Sequence, residues 1–264
     1  MIEIENAVEK FSIVRLSRED SNRTSVEETV ARESALTIIL NNQELVTILC
    51  SPANLKALAV GFLYSEGLLD SKDEIKKLLV DERRGLVRIE TTEDKGFTQE
   101  VLSKRMLTSG CGAGTTFFRA VDAAIPKVES QLKISADEIF ALVNEFQHGS
   151  QLYLATHGVH SAALCDTKNI LVFGEDIGRH NAIDKIFGQC FLEDIPTDNR
   201  IVITSGRISS EILNKVAKRV IPIIISISAP TSLGVKVSDS LGITMVGSVR
   251  GRKMNVYTND WRVI

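Results

Sequence analysis

An α/β protein is predicted for this chain, with a smaller α+β unit leading into a larger domain built on a sheet. Three observations carry that prediction. From Ser135 onward, short apolar runs alternate with helical periods. The runs at 201–204 and 223–228 are apolar almost throughout, the pattern of parallel strands covered on both faces. The first hundred residues show no such alternation and read instead as a hairpin, a helix and further strands.

Composition sets the bounds. The chain has 264 residues, 44% apolar and 25% charged, which is ordinary for a globular protein and allows one large or two modest domains. A net charge of -3 argues against a general nucleic-acid coat, while leaving room for a local basic patch. No apolar run approaches the roughly 20 residues that cross a bilayer, so no membrane partner is expected. The acidic opening MIEIENAVEK lacks the basic and apolar regions of a signal peptide. A cytoplasmic location is expected, where thiols stay reduced. The four cysteines, Cys50, Cys111, Cys165 and Cys190, are widely spaced with no CxxC pair, so neither a zinc ribbon nor a disulfide framework follows.

The elements follow in order. Strands at 35–40 and 45–49 flank Asn41-Asn42, a hairpin turn. Ser51-Pro52 reads as N-cap and first helical residue. Leu55, Leu58, Ala59, Phe62 and Leu63 form the buried stripe of that helix, and Gly67 stops it. A short charged helix at 71–79 and strands at 86–90 and 97–102 complete the α+β unit. Beyond it, Ser135 and Glu138 fit a capping box, and Ile139, Leu142, Val143 and Phe146 give a helical stripe. Strands are predicted at 151–156, 160–166 and 170–173, then a helix after Gly178. Strand 201–204, helix 209–220, strand 223–228, helix 231–241, and strands at 244–247 and 254–258 finish the chain.

Between the unit and the domain lies Thr108-Ser-Gly-Cys-Gly-Ala-Gly114. Three glycines in five positions leave Cys111 unobstructed, and backbone N–H groups in such a loop can stabilise a thiolate. Cys165 falls in an alternating strand, Cys190 on an apolar helix face and Cys50 just ahead of a helix, all packing positions.

The stretch 174–188, GEDIGRHNAIDKIFG, breaks an apolar strand and opens a helix. It gathers Glu175, Asp176, Arg179 and His180 around Gly178. His180 and Asp184 are four apart on one helix face, where the carboxylate could fix the imidazole tautomer. Structural ion networks gather the same residue types, and that is the competing reading. Two strand-to-helix joints, TSGRISS (204–210) and SISAPTSLG (226–234), offer hydroxyls, glycine and a helix N-terminus, a seat for an anion. Arg207 adds a forked donor suited to phosphate. Helix capping by Ser209 or Thr231 is the plainer alternative. The basic cluster Arg250-Gly251-Arg252-Lys253 favours a phosphate-bearing ligand. His157, His160, His180 and Cys111 lack the spaced ligand pair of a specific metal site, so no metal is expected, and His160 is placed at the reaction site instead.

Taken together, GEDIGRHNAIDKIFG, TSGRISSEI, ISISAPTSLGV, LGITMVGSVRGRKMNVYT and SPANLKALAVGFLYSEGLL resemble the FdhD family, accessory sulfurtransferases of formate dehydrogenase. The likeness runs from about residue 26 to 258. It implies a sulfur carrier in which a cysteine desulfurase loads a persulfide on the loop cysteine. The sulfur then passes to the molybdenum or tungsten of a bis(molybdopterin guanine dinucleotide) before that cofactor is inserted. It also implies a homodimer and a cytidine-deaminase-like three-layer α/β/α domain at 116–264, behind an α+β domain at 1–115. The deaminase zinc motif is absent. Cys111 matches the persulfide-bearing position. Many relatives have a second loop cysteine where this chain has Gly114, although one thiolate suffices to take and pass on an outer sulfur. Ser248, Val249, Arg250, Gly251, Arg252 and Lys253 match the family's cofactor-binding segment. The motifs also cover Arg179, His180 and Arg207 without fixing their roles. His180, oriented by Asp184 or Glu175, is expected to move the persulfide proton. The alternatives are a cofactor chaperone that carries no sulfur and, third, a hydrolytic metalloenzyme using the histidines.

Overall fold

The structure is a computed structural model and describes residues 4–17, 23–93, 105–107, 115–117 and 125–264. Cys111, its loop at 108–114 and the strand expected at 97–102 lie outside the described residues.

Helix α1 (Ile4–Ala7) leads into a two-stranded ribbon of β1 (Val8–Leu16) and β2 (Arg23–Ala31). Strands β3 (Ser34–Leu40) and β4 (Gln43–Cys50) form the expected hairpin, with Asn41 and Asn42 at φ 48 and 64°, as a two-residue turn between twisted strands requires. Helix α2 (Leu55–Glu66) follows, then β5 (Ile75–Asp81) and β6 (Leu86–Thr91). These strands make a four-stranded sheet in the order β4-β3-β6-β5. Short strands β7 (Arg105–Leu107) and β8 (Thr115–Phe117) pair antiparallel, with Leu107 opposite Thr115.

The second half contains α3 (Ala136–Gly149), α4 (Gln151–Thr156), β9 (His160–Cys165), β10 (Ile170–Asp176), α5 (Arg179–Glu193), β11 (Ile201–Thr204), α6 (Ser210–Lys218), β12 (Ile223–Ser226), α7 (Ser232–Ser240), β13 (Thr244–Arg250) and β14 (Lys253–Thr258). Its sheet runs β10-β9-β11-β12-β13-β14. Only β11, β12 and β13 are mutually parallel; β9, β10 and β14 pair antiparallel. The expected parallel sheet is therefore mixed. A tight connection returns β10 alongside β9, and a two-residue turn returns β14 alongside β13, neither of which a parallel crossover could do.

Side chains alternate across this sheet and bury both faces. Ala163, Cys165, Ile203 and Ile225 meet Ile139, Leu142 and Phe146 of α3. On the other face Ala162, Leu164, Val202 and Ile224 meet Ile183, Phe187, Ile212 and Val216 of α5 and α6. Helix α2 stands against the outside of α5 and carries the four-stranded sheet on its own far side, through a core of Leu36, Ile38, Leu58, Leu63 and Val87 that includes Phe191 of α5.

Several local expectations hold. Ser135 and Glu138 form a complete capping box, and the stripe of α3 is buried. Gly67 ends α2 in the left-handed region, at φ 74°. Others are corrected by tertiary partners. Helix α2 starts at Leu55, not at Pro52, because Ser51 is engaged elsewhere: its N–H donates to Asp176 Oδ2 (3.0 Å) and its Oγ accepts from Ile177 N–H (3.1 Å). The segment at 71–79 is one 3₁₀ turn (Lys72–Glu74) and a strand, because pairing with β6 outweighs its helical composition. Residues 151–156 form a helix, not a strand. Strand β10 continues through Gly174 to Asp176. The strand packs closely on α5 there, since a Cβ on Gly174 would sit 3.1 Å from Ile186 Cγ2 and 3.3 Å from the Ala182 carbonyl oxygen.

Candidate functional site

One edge of the six-stranded sheet collects nearly every described residue singled out from the sequence. The parallel strands β11, β12 and β13 end there at Thr204, Ser226 and Arg250. Antiparallel β9 begins there at His160, and β10 ends there, with Asp176 opposite His160. The joints at 204–210 and 226–231 are stitched together: Ser226 Oγ donates to the Gly206 carbonyl (2.7 Å), and Thr231 N–H to the Ile208 carbonyl (3.0 Å). The C-terminal segment joins them where Ser248 N–H donates to the Ser228 carbonyl (2.9 Å). Ser248 has φ 55°, and Val249 is buried. Arg250, Arg252 and Lys253 are exposed around the turn at Gly251, which lies beyond the end of the register between β12 and β13.

The four ionisable groups around Gly178 divide in two. Asp176 is fully buried and structural. Its Oδ2 pairs with Lys185 Nζ (2.7 Å), and its Oδ1 accepts from Gly178 N–H (2.9 Å) and Asn181 Nδ2 (2.8 Å). Glu175 turns into the α4 face, where it accepts from the backbone N–H groups of Leu152 and Tyr153 (both 3.1 Å) and from the Ser150 hydroxyl (3.0 Å). It caps α4, as an anion at a helix N-terminus does. Arg179 and His180 open α5 at the sheet edge. Arg179 lies across Gly206, where an added Cβ would come within 2.8 Å of the arginine Cβ.

The pairing expected between His180 and Asp184 is not made. Both oxygens of Asp184 lie 2.8 Å from Lys215 Nζ on α6, and that lysine also lies 3.3 Å from Glu66 on α2. His180 Nε2 instead lies 3.0 Å from Glu211 Oε2, a residue that sequence reasoning passed over. Contact with His180, foremost, pulls the Glu211 carboxyl below its ordinary range. Neither Asp184 nor Glu175 orients the imidazole. Glu211 falls within the TSGRISSEI motif, but nothing in that motif pairs it with His180, which lies 31 residues away and meets it only through packing of α5 on α6.

His160 Nδ1 lies 3.2 Å from Ser205 Oγ, and that hydroxyl also accepts from Ser161 N–H (2.9 Å). Burial first, then the positive charges of Arg179, His180 and Arg207, push His160 below the usual imidazole value. Arg179, His180, Arg207 and His160 therefore share one electrostatic neighbourhood. Arg207 is exposed. Ser209, the N-cap of α6, is buried, makes no side-chain capping bond and has a hydroxyl without a hydrogen-bond partner among the described residues. Thr231, by contrast, caps α7 by accepting from Gly234 N–H (3.1 Å). Simple capping thus accounts for Thr231 and not for Ser209.

Beside His160, on the α3 and α4 side, lies a cavity of about 570 Å³ lined by Phe146, Tyr153, Val159, Ser205 and Ile227. Its size is typical of small-molecule sites. No spacing in the sequence announced it. Among the described residues no group of three His, Cys, Asp or Glu side chains could hold a metal ion, and no helix is long and apolar enough to cross a membrane. His157 is exposed, with its ring edge-on to Tyr153. Cys50, Cys165 and Cys190 are buried, and burial pushes each thiol up to about 12.

These features define a mixed α/β protein whose sheet edge gathers basic side chains and helix N-termini beside a cavity. The chain belongs to the FdhD/NarQ family, whose description matches residues 31–264. It is 42% identical to a sulfur carrier protein FdhD from Bacillus pumilus, over 97% of this chain and 98% of that one. To the Bacillus subtilis protein of the same name it is 41% identical, over 93% and 94%. The crystal structure of a Desulfotalea psychrophila protein described as a formate dehydrogenase accessory protein matches with a TM-score of 0.77 and 27% identity, over 98% of this chain and all of the other.

Proposed function

We propose that this protein is a sulfur carrier supporting formate dehydrogenase, and that it bears sulfur as a persulfide on Cys111. The observation that carries the reading is the state of the other thiols. Three of the four cysteines are buried with thiols near 12, so at neutral pH they supply almost no thiolate, the nucleophilic form. Cys111 is the remaining candidate. Its thiolate attacks the outer sulfur of a cysteine desulfurase persulfide, the donor S–S bond breaks, and the donor cysteine leaves as thiolate.

The acceptor in this reading is the metal of a bis(molybdopterin guanine dinucleotide), bound as substrate. The unpartnered Ser209 hydroxyl, exposed Arg207 and the N-termini of α5 and α6 suit its phosphates. The cavity beside His160 has room for a planar heterocycle. The basic turn at 250–253 adds charge at the same edge. Helices on both faces of the mixed sheet support the deaminase-like layering. Self-association belongs to the same reading, since the ribbon leaves Phe11, Val14 and Leu16 exposed for a second copy to cover.

Treating the protein with a desulfurase and cysteine should add 32 mass units to a peptide containing Cys111, and Cys111→Ala should abolish both the adduct and activation of formate dehydrogenase. Activation that survives in Cys111→Ala would refute the carrier role. Gly114, at the position of a second thiol in many relatives, favours one other reading, a chaperone that binds the same cofactor and carries no sulfur. In that case the adduct is missing and cofactor binding persists.

A further inference from the structure

Two helix N-termini converge at the sheet edge. The 15-residue α5 opens with Arg179 and His180, and the nine-residue α6 opens with Ser210 and Glu211 behind Ser209. Each brings the positive end of a helix dipole, and exposed Arg207, two residues ahead of the α6 N-cap, adds a full charge. At α6, Ser209 is more than nine-tenths buried and its hydroxyl has no hydrogen-bond partner among the described residues, a position that a ligand oxygen could complete.

Three acids lie in this neighbourhood, and two are committed. Asp176 is held by Lys185, and Asp184 by Lys215. The third, Glu211, places Oε2 3.0 Å from His180 Nε2, with 17% of the histidine and 19% of the glutamate side chain still in solvent. A carboxylate held by this one contact and partly in solvent can give way to an anion of longer reach. Resting on the phosphate seat described above, we propose that Glu211 is the built-in counter-ion of that seat and that a diphosphate displaces its carboxylate from His180 on binding.

The consequence is selectivity by charge. A seat already holding one negative charge gains little from a monoanion such as chloride or acetate. A diphosphate brings more charge and more acceptor oxygens, and reaches Arg207, the Ser209 hydroxyl and both helix N-termini together. Glu211, in the first turn of α6 with part of its side chain in solvent, can swing outward once replaced.

Calorimetric titration of the full-length protein with inorganic pyrophosphate and with acetate tests this. Glu211→Gln keeps the shape and removes the charge. It should bind pyrophosphate on the order of tenfold more tightly and should newly bind acetate. Glu211→Asp, which draws the carboxylate back by one methylene, should fall between, and serves if the glutamine variant fails to fold. Arg207→Ala, at an exposed position, should weaken pyrophosphate binding. If Arg207→Ala weakens binding while both Glu211 variants match the parent or bind less well, the seat stands and displacement is wrong. If no protein in the set binds pyrophosphate, the seat itself is wrong, and the counter-ion role falls with it.

Discussion

Gly61 and Gly188 face each other where α2 crosses α5, and neither can carry a side chain. A Cβ on Gly61 would fall 1.8 Å from the Asp184 carbonyl oxygen, and one on Gly188 would fall 1.8 Å from the Ala57 carbonyl oxygen. The two backbones are in contact, so the α+β half is seated directly on the helix that carries His180. Alanine at either position must drive the helices apart. Gly188→Ala should cost about 3 kcal/mol or more of stability, read as a lowered urea midpoint, even though alanine favours helix. A neutral result would mean that the helices do not cross this closely.

Lys215 fastens the same crossing, reaching Asp184 on α5 and Glu66 on α2 with Phe62 beneath its ammonium group. Lys215→Met leaves two buried carboxylates without their cation and should cost about 3–5 kcal/mol. The two carboxylates raise the lysine above its ordinary 10.5, against the opposing effect of burial. A group raised on folding contributes fully below its unfolded value. Its contribution should therefore be flat through neutral pH and be lost only as pH climbs beyond 10.5 toward the folded value. Denaturation curves from pH 7 to 11, compared with Lys215→Met, read it directly.

His160 acts with the opposite sign. Its folded value lies below the ordinary 6.5, chiefly through burial, so the unfolded chain takes up the proton first. Stability should decline as pH falls through 6.5, and His160→Gln should flatten that part of the profile. An unchanged acid limb in the variant would place the titration elsewhere.

Thiol labelling distinguishes the cysteines. At pH 7.5 a maleimide should leave Cys50, Cys165 and Cys190 unmodified in the native protein and label all of them in urea. Native labelling should reach one thiol per chain and vanish in Cys111→Ser. Modification of any of the other three under native conditions would remove the argument by which Cys111 was chosen.

Glu175 should behave as a structural residue. Replacing it with alanine removes the acceptor for two backbone N–H groups and the Ser150 hydroxyl, at a cost of about 2–4 kcal/mol. The folded fraction should still accept sulfur at the parental rate. A large loss of transfer rate at full stability would return Glu175 to the chemistry.

What could be read from the sequence was whatever a short span of backbone fixes by itself. Ser135 and Glu138 form their capping box because a helical first turn puts position N3 back at the cap. Asn41 and Asn42 make the turn because the flanking strands require a left-handed pair. The gathering of hydroxyls and glycines at one sheet edge was legible for a related reason: strand ends that open into helix N-termini carry them in contiguous stretches. Side-chain partnership across elements was settled by packing alone. His180 and Asp184 share a helix face at the right spacing, yet Lys215 claims the aspartate and Glu211 meets the histidine, because α6 lies against α5 at that level. The same holds for Glu175, taken by α4, for Ser51, taken by Asp176, and for Arg262, buried with its guanidinium donating to the carbonyls of Ser130 and Gly242. A charge out of water must find its counterpart wherever the fold brings one, and spacing along a single element does not say which candidate lies nearest in space.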